Sequence, residues 1–341
     1  MCRRTFLGAP VAMAAAAQNP APVRFGVDLF SLRSQGWTAF EYLDYCARHQ
    51  AKVVHFSEIR FLGSLEPEHL RKVRAHAESL GITLEIGMRS ICPTSKRFDP
   101  AQGTAEEQLL RVVEAARIAG SPLVRAFLGS LEDRTGPLPI EGHIENTVKV
   151  LRKVRTRVED SGVRIAIENH AGDMQARELK MLIEEAGKDF VGACLDSGNP
   201  VWALEDPLLT LETLAPYVLT SHVRDSAVWR EGDRIAVRWT RMGEGNIGIR
   251  EYTRRFQELL PGKAYSMEII VTGPRYFPLF DPQFWAGYRN VRAEEFLRFL
   301  RLAERGQPNP GPAPAPKELA AQREREDLEA SIRYTREVLG I

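Results

Sequence analysis

Four side chains that can bind a metal ion occur in the second half of the sequence, each within a short apolar segment. The segments are VRIAIEN, VGACLD, YVLTSHVR and AYSMEIIV, and the side chains are Glu168, Asp196, His222 and Glu268. Because apolar residues flank each of them, we expect burial, and a buried carboxylate is costly unless a cation compensates its charge. One such residue is often only an ion-pair partner or a core group. Four in succession predict a metal site.

The types of these side chains narrow the choice of metal. Three carboxylates and one imidazole favour one divalent ion of manganese, magnesium or cobalt, and zinc is compatible with the same set. The four cysteines contain no C-x-x-C pair, so the sequence indicates neither a zinc ribbon nor a disulfide framework. Cys194 lies in an apolar strand, where we expect a buried free thiol.

The segments that carry the candidate ligands belong to a repeating pattern of strand and helix. Short runs rich in Val and Ile alternate eight times with stretches of helical periodicity between Val23 and Arg305. The predicted strands are VRFGVDL from Val23, KVVHFS from Lys52, ITLEIGM from Ile82, PLVRAFL from Pro122, VRIAIEN from Val163, VGACLD from Val191, YVLTSHVR from Tyr217 and AYSMEIIV from Ala264. Eight such units predict an α/β protein, a (β/α)8 TIM barrel, whose catalytic groups lie where the strands end.

Two segments between these strands carry clear helix signals. The apolar residues of EPEHLRKVRAHAESLG share one helical face, and Gly81 is expected to end that helix. The following helix is predicted to begin with a capping box from Thr104 to Glu107 and to end at Gly120. The first strand, FGVDLFSLR, lacks the glycine spacing of a dinucleotide-binding turn, which disfavours a nicotinamide enzyme.

Composition and charge exclude several classes of protein. The 341 residues contain 46 Lys and Arg against 45 Asp and Glu, so a net charge of +1 gives no overall reason to bind nucleic acid. Hydrophobic residues at 44% and charged residues at 27% are typical of a soluble globular protein. No segment approaches 18 uninterrupted apolar residues, so we expect no membrane span.

The beginning of the chain has the features of an export signal. In MCRRTFLGAPVAMAAAAQ, the pair Arg3-Arg4 precedes a short apolar stretch and small residues suited to cleavage. This order is typical of a twin-arginine signal and predicts a periplasmic protein. The alternative is an ordinary disordered N-terminus on a cytoplasmic protein.

The end of the chain changes composition after the eighth unit. QPNPGPAPAP is too rich in proline for helix or sheet and predicts an extended spacer. Apolar residues at helical spacing then predict an appended helix, packed on the barrel or on a second subunit of a homo-oligomer. The predicted divisions are an export signal at 1–20, the barrel at 21–306, the linker at 307–316 and the C-terminal helix at 317–341.

The ordered segments FGVDLFSLR, IENH, LDSGNP, SHVRD, MGEGNI and MEII resemble strand-end and loop segments of the xylose isomerase-like TIM-barrel superfamily of sugar isomerases and epimerases. The resemblance extends from Val23 to Arg305. It implies that Glu168, Asp196, His222 and Glu268 bind one divalent ion, and that Glu168 and Glu268 form an acid/base pair. It also implies that MGEGNI forms the loop leading into the helix before the eighth strand.

The resemblance implies chemistry on a small carbohydrate through an enediolate. A metal that holds a carbonyl and its neighbouring hydroxyl stabilises the enediolate formed when the adjacent carbon loses a proton. Return of the proton to the opposite face gives an epimer, and return to the neighbouring carbon interconverts aldose and ketose. The expected activity is therefore that of a metal-dependent isomerase or epimerase of a sugar or sugar derivative.

Further polar residues are candidates for binding the substrate. They are His170, Asn199, Arg125, Arg89, Arg224, Asp225 and Glu58. Some have alternative roles: His170 could orient a metal ligand, Arg224 and Asp225 could form an ion pair, and Glu58 could balance Arg89 or Arg125. The sequence departs from the ketose 3-epimerases of the superfamily, which have His where Asn199 stands and Arg where Val228 stands.

Three other functions remain open. The same enediolate with a leaving group on the next carbon gives a lyase or dehydratase acting on a keto-sugar or keto-glycoside. A phosphodiesterase resembling endonuclease IV would need three zinc ions, a His in place of Asn199 and a basic face for DNA. A noncatalytic sugar-binding barrel is the third, although all four candidate ligands are present.

Overall fold

The computed structural model describes residues 21–313 and 316–341, in which eight parallel strands form a closed barrel. The strands of this part of the chain are Arg24–Asp28 (β1), Val53–Phe56 (β2), Thr83–Ser90 (β3), Leu123–Phe127 (β4), Arg164–Glu168 (β5), Val191–Asp196 (β6), Val218–Val223 (β7), Asp225–Glu231 (β8), Arg234–Thr240 (β9), Ala264–Met267 (β10) and Arg275–Phe277 (β11). Strands β1 to β7 and β10 form the barrel, and β10 pairs with β1 to close it. The predicted TIM barrel is confirmed.

Helices follow the barrel strands and cover their outer side. They are Ala39–Arg48 (α1), Pro67–Ser79 (α2), Ala105–Ala119 (α3), Leu131–Arg134 (α4), Ile140–Ser161 (α5), Ala176–Ala186 (α6), Pro207–Leu214 (α7), Ile249–Leu259 (α8), Ala293–Arg305 (α9) and Ala320–Tyr334 (α10). Within residues 21–313 and 316–341, none of the helices has the length and apolar character required to span a bilayer.

The predicted helix signals are present in the structure. Thr104 and Glu107 form a reciprocal capping box at the start of α3, and Gly120 ends the helix in the left-handed conformation with φ +74°. Such boxes satisfy backbone N–H groups that the first helical turn leaves without partners. In α2 the buried residues are Leu70, Val73 and Ala77, which all belong to the predicted apolar face.

The core lies between the strands and the helices, whereas the barrel interior is partly polar. Apolar strand residues such as Val54 and Ile165 are fully buried in the core. Asp28, His55 and Glu85 are buried too, each on a different strand of the barrel. Because buried ionisable groups are retained only where they have partners, the barrel interior is the place to look for chemistry.

A second sheet of β8, β9 and β11 is an addition that the sequence analysis did not predict. All its pairings are antiparallel, in the order β11-β9-β8. The tight turn between β8 and β9 contains Gly232 with φ +60°, a conformation that favours glycine. In the segment DSAVWREGDRIAVRWT, apolar and polar residues alternate on both sides of a glycine turn, as in a β-hairpin. The sequence analysis considered only alternating strands and helices and therefore did not predict this hairpin.

The C-terminal helix α10 packs on the barrel domain. The Glu324 carboxylate accepts hydrogen bonds from the backbone N–H and the hydroxyl of Ser34, at 2.9 and 2.7 Å. Asp327 pairs with Arg241 at 2.6 Å. Between the two alternatives for this helix, the structure therefore gives packing on its own barrel. The predicted export signal at residues 1–20 lies outside the described residues.

Candidate metal centre and active-site cavity

The four side chains predicted to bind a metal lie together at the carboxyl ends of neighbouring strands. Glu168 ends β5, Asp196 ends β6, His222 is the penultimate residue of β7 and Glu268 directly follows β10. One donor atom from each lies within 4.8 Å of those of the other three. All four side chains are buried. The structure thus brings residues from four separate strands into one cluster.

Strand geometry explains the convergence. Successive residues of a strand point to opposite sides, so Cys194 and Asp196 share one side of β6. Asp196 and His222 are paired in register on adjacent strands. The Cys194 sulfur also lies within 4.8 Å of donor atoms of Glu168 and His222, and Cys194 is a buried free thiol, as predicted.

The two ring nitrogens of His222 face different groups. Nδ1 lies 3.4 Å from Glu168 Oε2 and 3.4 Å from Glu268 Oε2, and it has no hydrogen-bond partner in the described chain. Nε2 lies 2.9 Å from His55 Nδ1 and 3.3 Å from Asp28 Oδ2. Burial alone lowers the pKa of His222, but the surrounding acidic groups raise it well above its ordinary value. Nδ1 is therefore the nitrogen that faces the carboxylate cluster.

Two buried arginines neutralise part of the negative charge. Arg125 on β4 contacts Glu168, and Arg224 contacts both Asp196 and Glu268. Burial raises the pKa of Asp196 to about 7, although Arg224 opposes the shift. Burial also acts to raise the pKa values of Glu168 and Glu268, but the arginines outweigh it. Arg125 holds the pKa of Glu168 well below its usual range, and Arg224 lowers the pKa of Glu268 to about 2. Both glutamates are ionised at neutral pH.

The donor set fits a divalent metal ion. Bonds of about 2.0–2.4 Å to one ion place the ligand atoms at most about 4.8 Å apart, which is the limit that the four donor atoms satisfy. Three carboxylates and one imidazole converge there, a set in which oxygen donors predominate. The Nδ1 atom of His222, buried without a partner in the described chain, is the kind of donor that a metal satisfies.

A cavity of about 250 Å³ borders this cluster at the end of the barrel. Its lining residues are Phe30, Ser57, Glu58, Arg89, Arg97, Arg125, Phe127, His170, Asn199, Arg224, Trp239, Glu268 and Ile270. Six of the seven candidate substrate residues are among them, and Asp225 is not. The lining combines apolar and aromatic surface with a few convergent polar groups, as small-molecule sites do.

His170 presents a defined hydrogen-bonding state to this cavity. Its Nδ1 lies 2.6 Å from the carbonyl oxygen of Gly129, and its ring stacks on Phe127 with centroids 3.9 Å apart. Burial lowers the pKa of His170 to about 4, so the ring is neutral. Because the carbonyl can only accept, the single proton lies on Nδ1 and Nε2 carries a lone pair. Nε2 can therefore accept a hydrogen bond from a substrate hydroxyl.

Asn199 connects the ligands to the cavity. Its Nδ2 donates to Glu168 Oε1 at 3.0 Å, and its backbone N–H donates to Asp196 Oδ1 at 2.6 Å. Its side-chain oxygen is buried without a partner in the described chain. Gly198, just before it, lies so close to Arg224 that a Cβ at this position would overlap the arginine side chain. The loop therefore holds Asn199 against two candidate ligands.

The predicted ion pair between Arg224 and Asp225 is wrong. Arg224 extends to Asp196 and Glu268, on the cavity side. The carboxylate of Asp225 accepts hydrogen bonds from the backbone N–H groups of Gly243 and Gly245, both at 3.0 Å. Adjacent residues of an extended chain point in opposite directions, so the two side chains diverge. Asp225 thus ties the MGEGNI loop, which leads into α8, to the start of β8.

Glu58 is also placed differently from the proposed balance with Arg89 or Arg125. Its carboxylate pairs with Arg60 Nε at 2.5 Å, and both side chains are partly exposed. The pair forms at the start of the short 3-10 helix that follows β2, where Glu58 is the N-cap residue and Arg60 lies in the helix. Glu58 still lines the cavity, so its predicted contact with substrate is unaffected.

A stack of aromatic and cationic side chains connects the second sheet to the site. The guanidinium carbon of Arg224 lies 4.4 Å from the ring centroid of Trp239 on β9. Trp239 stacks on Trp202 with centroids 4.1 Å apart and an interplanar angle of 11°. Arg275 of β11 covers the other ring, 4.3 Å from the centroid of Trp202. Among the late aromatic residues of the sequence, Trp239 is the one that lines the cavity.

Sequence reasoning missed the buried groups behind the candidate ligands. Asp28 ends β1 and His55 lies in β2, and both lie within 4.8 Å of a donor atom of His222. Burial raises the pKa of Asp28 to about 7 and lowers that of His55 well below its ordinary value. The same criterion, an ionisable residue late in an apolar strand, would have found both in VRFGVDL and KVVHFS.

Comparison with known proteins agrees with this architecture. A 3-oxo-isoapionate decarboxylase from Pectobacterium atrosepticum is 24% identical over 256 residues, which cover 75% of this chain and 80% of that protein. The crystal structure of D-psicose 3-epimerase with D-tagatose from Clostridium cellulolyticum H10 has a TM-score of 0.60 at 15% identity, covering 93% and 99% of the two chains. A probable 3-DHS dehydratase from Bacillus anthracis has a TM-score of 0.56 at 13% identity, covering 72% and 92%.

The structural likenesses, at these levels of identity, establish the fold alone. The family is established by sequence, because residues 32–303 match the family model of the xylose isomerase-like TIM barrel. That match extends from the segment between β1 and α1 to α9. This chain therefore belongs to the xylose isomerase-like TIM-barrel family.

Proposed function

We propose that this protein is a divalent-metal-dependent isomerase or epimerase of a keto-sugar or sugar derivative. One observation carries the proposal: donor atoms of Glu168, Asp196, His222 and Glu268 lie within 4.8 Å of one another beside a cavity. In strand order, the two glutamates flank the Asp and the His. The arrangement would supply four metal ligands, and two of them, Glu168 and Glu268, would also act on the reacting carbon.

The four residues would hold one ion, with Nδ1 of His222 as the imidazole ligand. A divalent ion bound there polarises a substrate carbonyl and offsets the negative charge of an enediolate. Arg125 and Arg224 already neutralise part of the carboxylate charge, which favours one divalent ion over a site with more positive charge. Manganese, magnesium and cobalt suit this oxygen-rich set best, and zinc is compatible with it.

The two glutamates supply the proton transfers. Their pKa values are low, so each is an ionised carboxylate able to take a proton from the carbon next to the carbonyl. The glutamate that accepts the proton becomes the acid that returns it, or the other glutamate delivers a proton to the second face. Asn199 Nδ2 donates to Glu168 and thereby fixes its orientation toward the cavity. His170 and Arg125 line the same cavity and would orient the hydroxyl groups.

A lyase that passes through the same kind of stabilised enolate is the second candidate. The 3-oxo-isoapionate decarboxylase similarity favours it, because loss of CO2 from a 3-oxo acid also leaves an enolate that needs the same stabilisation. In an elimination, the electron pair of the enediolate instead expels a hydroxide or glycosyl oxygen from the next carbon. Both reactions use Glu168 and Glu268 as proton carriers.

The first experiment measures metal content in the purified full chain by elemental mass spectrometry. We expect about one divalent ion per chain, lost in Glu168→Ala and retained in Glu205→Gln, which changes a buried carboxylate outside the cavity. Three zinc ions per chain would favour a phosphodiesterase like endonuclease IV. The absence of bound metal after reconstitution would favour a noncatalytic binding barrel.

The second experiment follows solvent deuterium incorporation into a panel of keto-sugars and keto-glycosides by NMR. The metal-loaded protein should exchange the proton next to the carbonyl, and the Glu268→Gln variant should lower the rate by about 10³-fold while retaining some metal. A near wild-type rate in Glu268→Gln would remove this residue from the mechanism. Release of CO2 or of a leaving group instead of exchange would identify the lyase.

A further inference from the structure

A second cavity adjoins the metal cavity. It has a volume of about 260 Å³ and lies between the 3-10 helix after β2, the end of β3 and helix α3. The two cavities share the side chains of Glu58, Arg89 and Arg97. Ligand sites usually occupy about 300–1,000 Å³, a size that neither cavity reaches alone and that the two reach together. The geometry therefore provides room for a group attached to the reacting sugar.

The junction between the cavities has an available cation. Arg89 lies on β3 with an exposed side chain, and no acceptor in residues 21–313 and 316–341 forms a hydrogen bond or salt bridge with it. Arg97 is partly engaged, since it reaches Ser130 Oγ at 3.3 Å and Glu132 at 3.7 Å. The guanidinium of Arg89 is thus free to bind an anionic group.

The acids near this junction are already engaged. Glu58 pairs with Arg60 at 2.5 Å. The carboxylate of Asp99 accepts from the backbone N–H of Ala101 at 3.1 Å and from Gln102 Nε2 at 2.8 Å, within its own loop. Four arginines, namely Arg60, Arg89, Arg97 and Arg111, line the second cavity together with these two acids. The excess positive charge favours an anionic ligand.

Part of the remaining wall is apolar. Ile59, Met88 and Val112 contribute side chains to the second cavity. Carbohydrates have both hydroxyl groups and apolar CH faces, so such a wall can pack against a sugar chain while the arginine binds its charged end. A guanidinium fork matches the two oxygens of a carboxylate and gives directional specificity.

We propose that the second cavity is a subsite for the carboxylate of an acidic carbohydrate, with Arg89 as the residue that binds it. The inference rests on the proposed function, because the keto end of the same substrate would occupy the metal cavity. The single free guanidinium, with Glu58 and Asp99 nearby, suits a carboxylate better than a doubly charged phosphate. A phosphate ester also presents anionic oxygens to an arginine, so the test must distinguish a phosphate from a carboxylate.

The test uses three ligands that differ at one carbon: D-fructose, D-fructuronate and D-fructose 6-phosphate. Their dissociation constants are measured by calorimetry on the metal-loaded full chain. We expect fructuronate to bind at least about ten-fold more tightly than both others, and Arg89→Gln to abolish this preference. Arg89→Lys should retain part of it. Arg74→Gln, an exposed arginine paired with Glu78 on α2, is the control for charge.

The outcomes separate the subsite from the reaction. Three results would overturn the subsite proposal. Fructuronate does not bind detectably, it binds no more tightly than fructose, or its binding is unaffected by Arg89→Gln. Tighter binding of fructose 6-phosphate overturns the carboxylate assignment. If no keto-sugar exchanges deuterium but the Arg89-dependent preference persists, the subsite stands and the proposed reaction fails. Exchange of fructose without any preference for fructuronate gives the reverse result.

Discussion

Two fully buried arginines, Arg134 and Arg224, stand in opposite situations. Arg134 has an acceptor at each nitrogen: Gly172 and Asp173 carbonyl oxygens at Nε, the Gly287 carbonyl oxygen at Nη1 and the Glu178 carboxylate at Nη2. Arg224 concentrates its contacts at Nη2, while its Nε and Nη1 have no partner in the described chain. We call the contacts of Arg134 the closed network, because each of its nitrogens has an acceptor. We call the contacts of Arg224 the open network, because two of its nitrogens have none among the described residues.

The difference separates architecture from function. A closed network of buried charges maintains one arrangement, because each group satisfies its neighbour. An open network leaves donors and acceptors without partners, at a cost that a protein recovers when a ligand completes it. Arg224 lies beside a cavity and against candidate metal ligands, whereas Arg134 ties α4 to the loop before α6. The open network is therefore the part expected to bind metal and substrate.

The largest expected effect compares one carboxylate from each network. Glu168→Ala should remove the bound metal and lower turnover by about 10⁴-fold, because the metal ligands act as one unit. Glu178→Ala should retain the metal but leave Arg134 buried without its charge partner. Elemental mass spectrometry and steady-state rates check the first variant. Retention of metal in Glu168→Ala would remove this residue from the ligand set.

The second prediction concerns the stability of the closed network. Glu178→Ala should lower the free energy of unfolding by about 3–5 kcal/mol, the usual cost of an uncompensated buried charge. The double variant Arg134→Met with Glu178→Leu should recover part of that loss, since apolar side chains replace the charged pair but leave the carbonyl oxygens that Arg134 contacts without this donor. Urea denaturation measures both. A double variant no more stable than Glu178→Ala would contradict the charge explanation.

The third prediction concerns Arg224, the arginine of the open network. Arg224→Gln should lower kcat/KM by about 10²-fold, because the guanidinium no longer lies beside the reacting groups. The variant should destabilise the metal-free protein more than the metal-loaded protein, since bound metal compensates Asp196 and Glu268. Thermal unfolding with and without a chelator gives this comparison. Equal destabilisation in both forms would argue for a purely structural arginine.

The fourth prediction tests how the second sheet supports the open network. Trp239→Leu removes the ring on which Arg224 packs, along with the hydrogen bond from Nε1 to the Gly198 carbonyl oxygen at 2.9 Å. We expect kcat/KM to fall by about ten-fold, because Arg224 loses a cation–π contact and its fixed position. Trp229→Leu, on the same sheet but away from the cavity, is the control. A similar decrease in both variants would point to general loss of the sheet.

The smallest expected effect is on the pH dependence of stability. Burial raises the pKa of Glu205 to about 7, although Thr210 and the N–H of Ala176 oppose the shift. The folded state therefore holds this proton more tightly than the unfolded state, and the free energy of unfolding decreases as pH rises from about 4.5 to about 7. The slope is at most about 1.4 kcal/mol per pH unit. Glu205→Gln should flatten it, which urea denaturation across this range would measure.

The fold and the candidate ligands could be predicted from the sequence for a physical reason. Parallel strands with both faces covered read as apolar runs, and an acidic residue that ends such a run has to enter the barrel mouth. Glu168, Asp196 and Glu268 all occupy such positions. Local patterns were also enough for the Thr104 capping box, because its partners are three residues apart.

Contacts between distant strands could not be predicted. The pairing of His222 with His55 joins residues 167 positions apart, and it depends on the closure of the barrel. The sequence offered the adjacent Asp225 as an ion-pair partner for Arg224, whereas the barrel brings Asp196 and Glu268 to it from 28 and 44 positions away. The charge and type of a residue in a buried segment indicate that its side chain needs a polar or charged partner. The three-dimensional path of the chain decides which partners they find.

The pairing of β1 with β10 has a consequence for folding in the cell. Arg24 lies opposite Ala264, so the barrel cannot close until roughly 240 further residues have left the ribosome. Closure of so long a loop is slow, and until then β1 and β7 are exposed sheet edges. Such edges are templates for aggregation, which makes the interval during synthesis the most vulnerable period of this protein's life. Its yield in a cell should therefore depend on chaperones more than its final stability indicates.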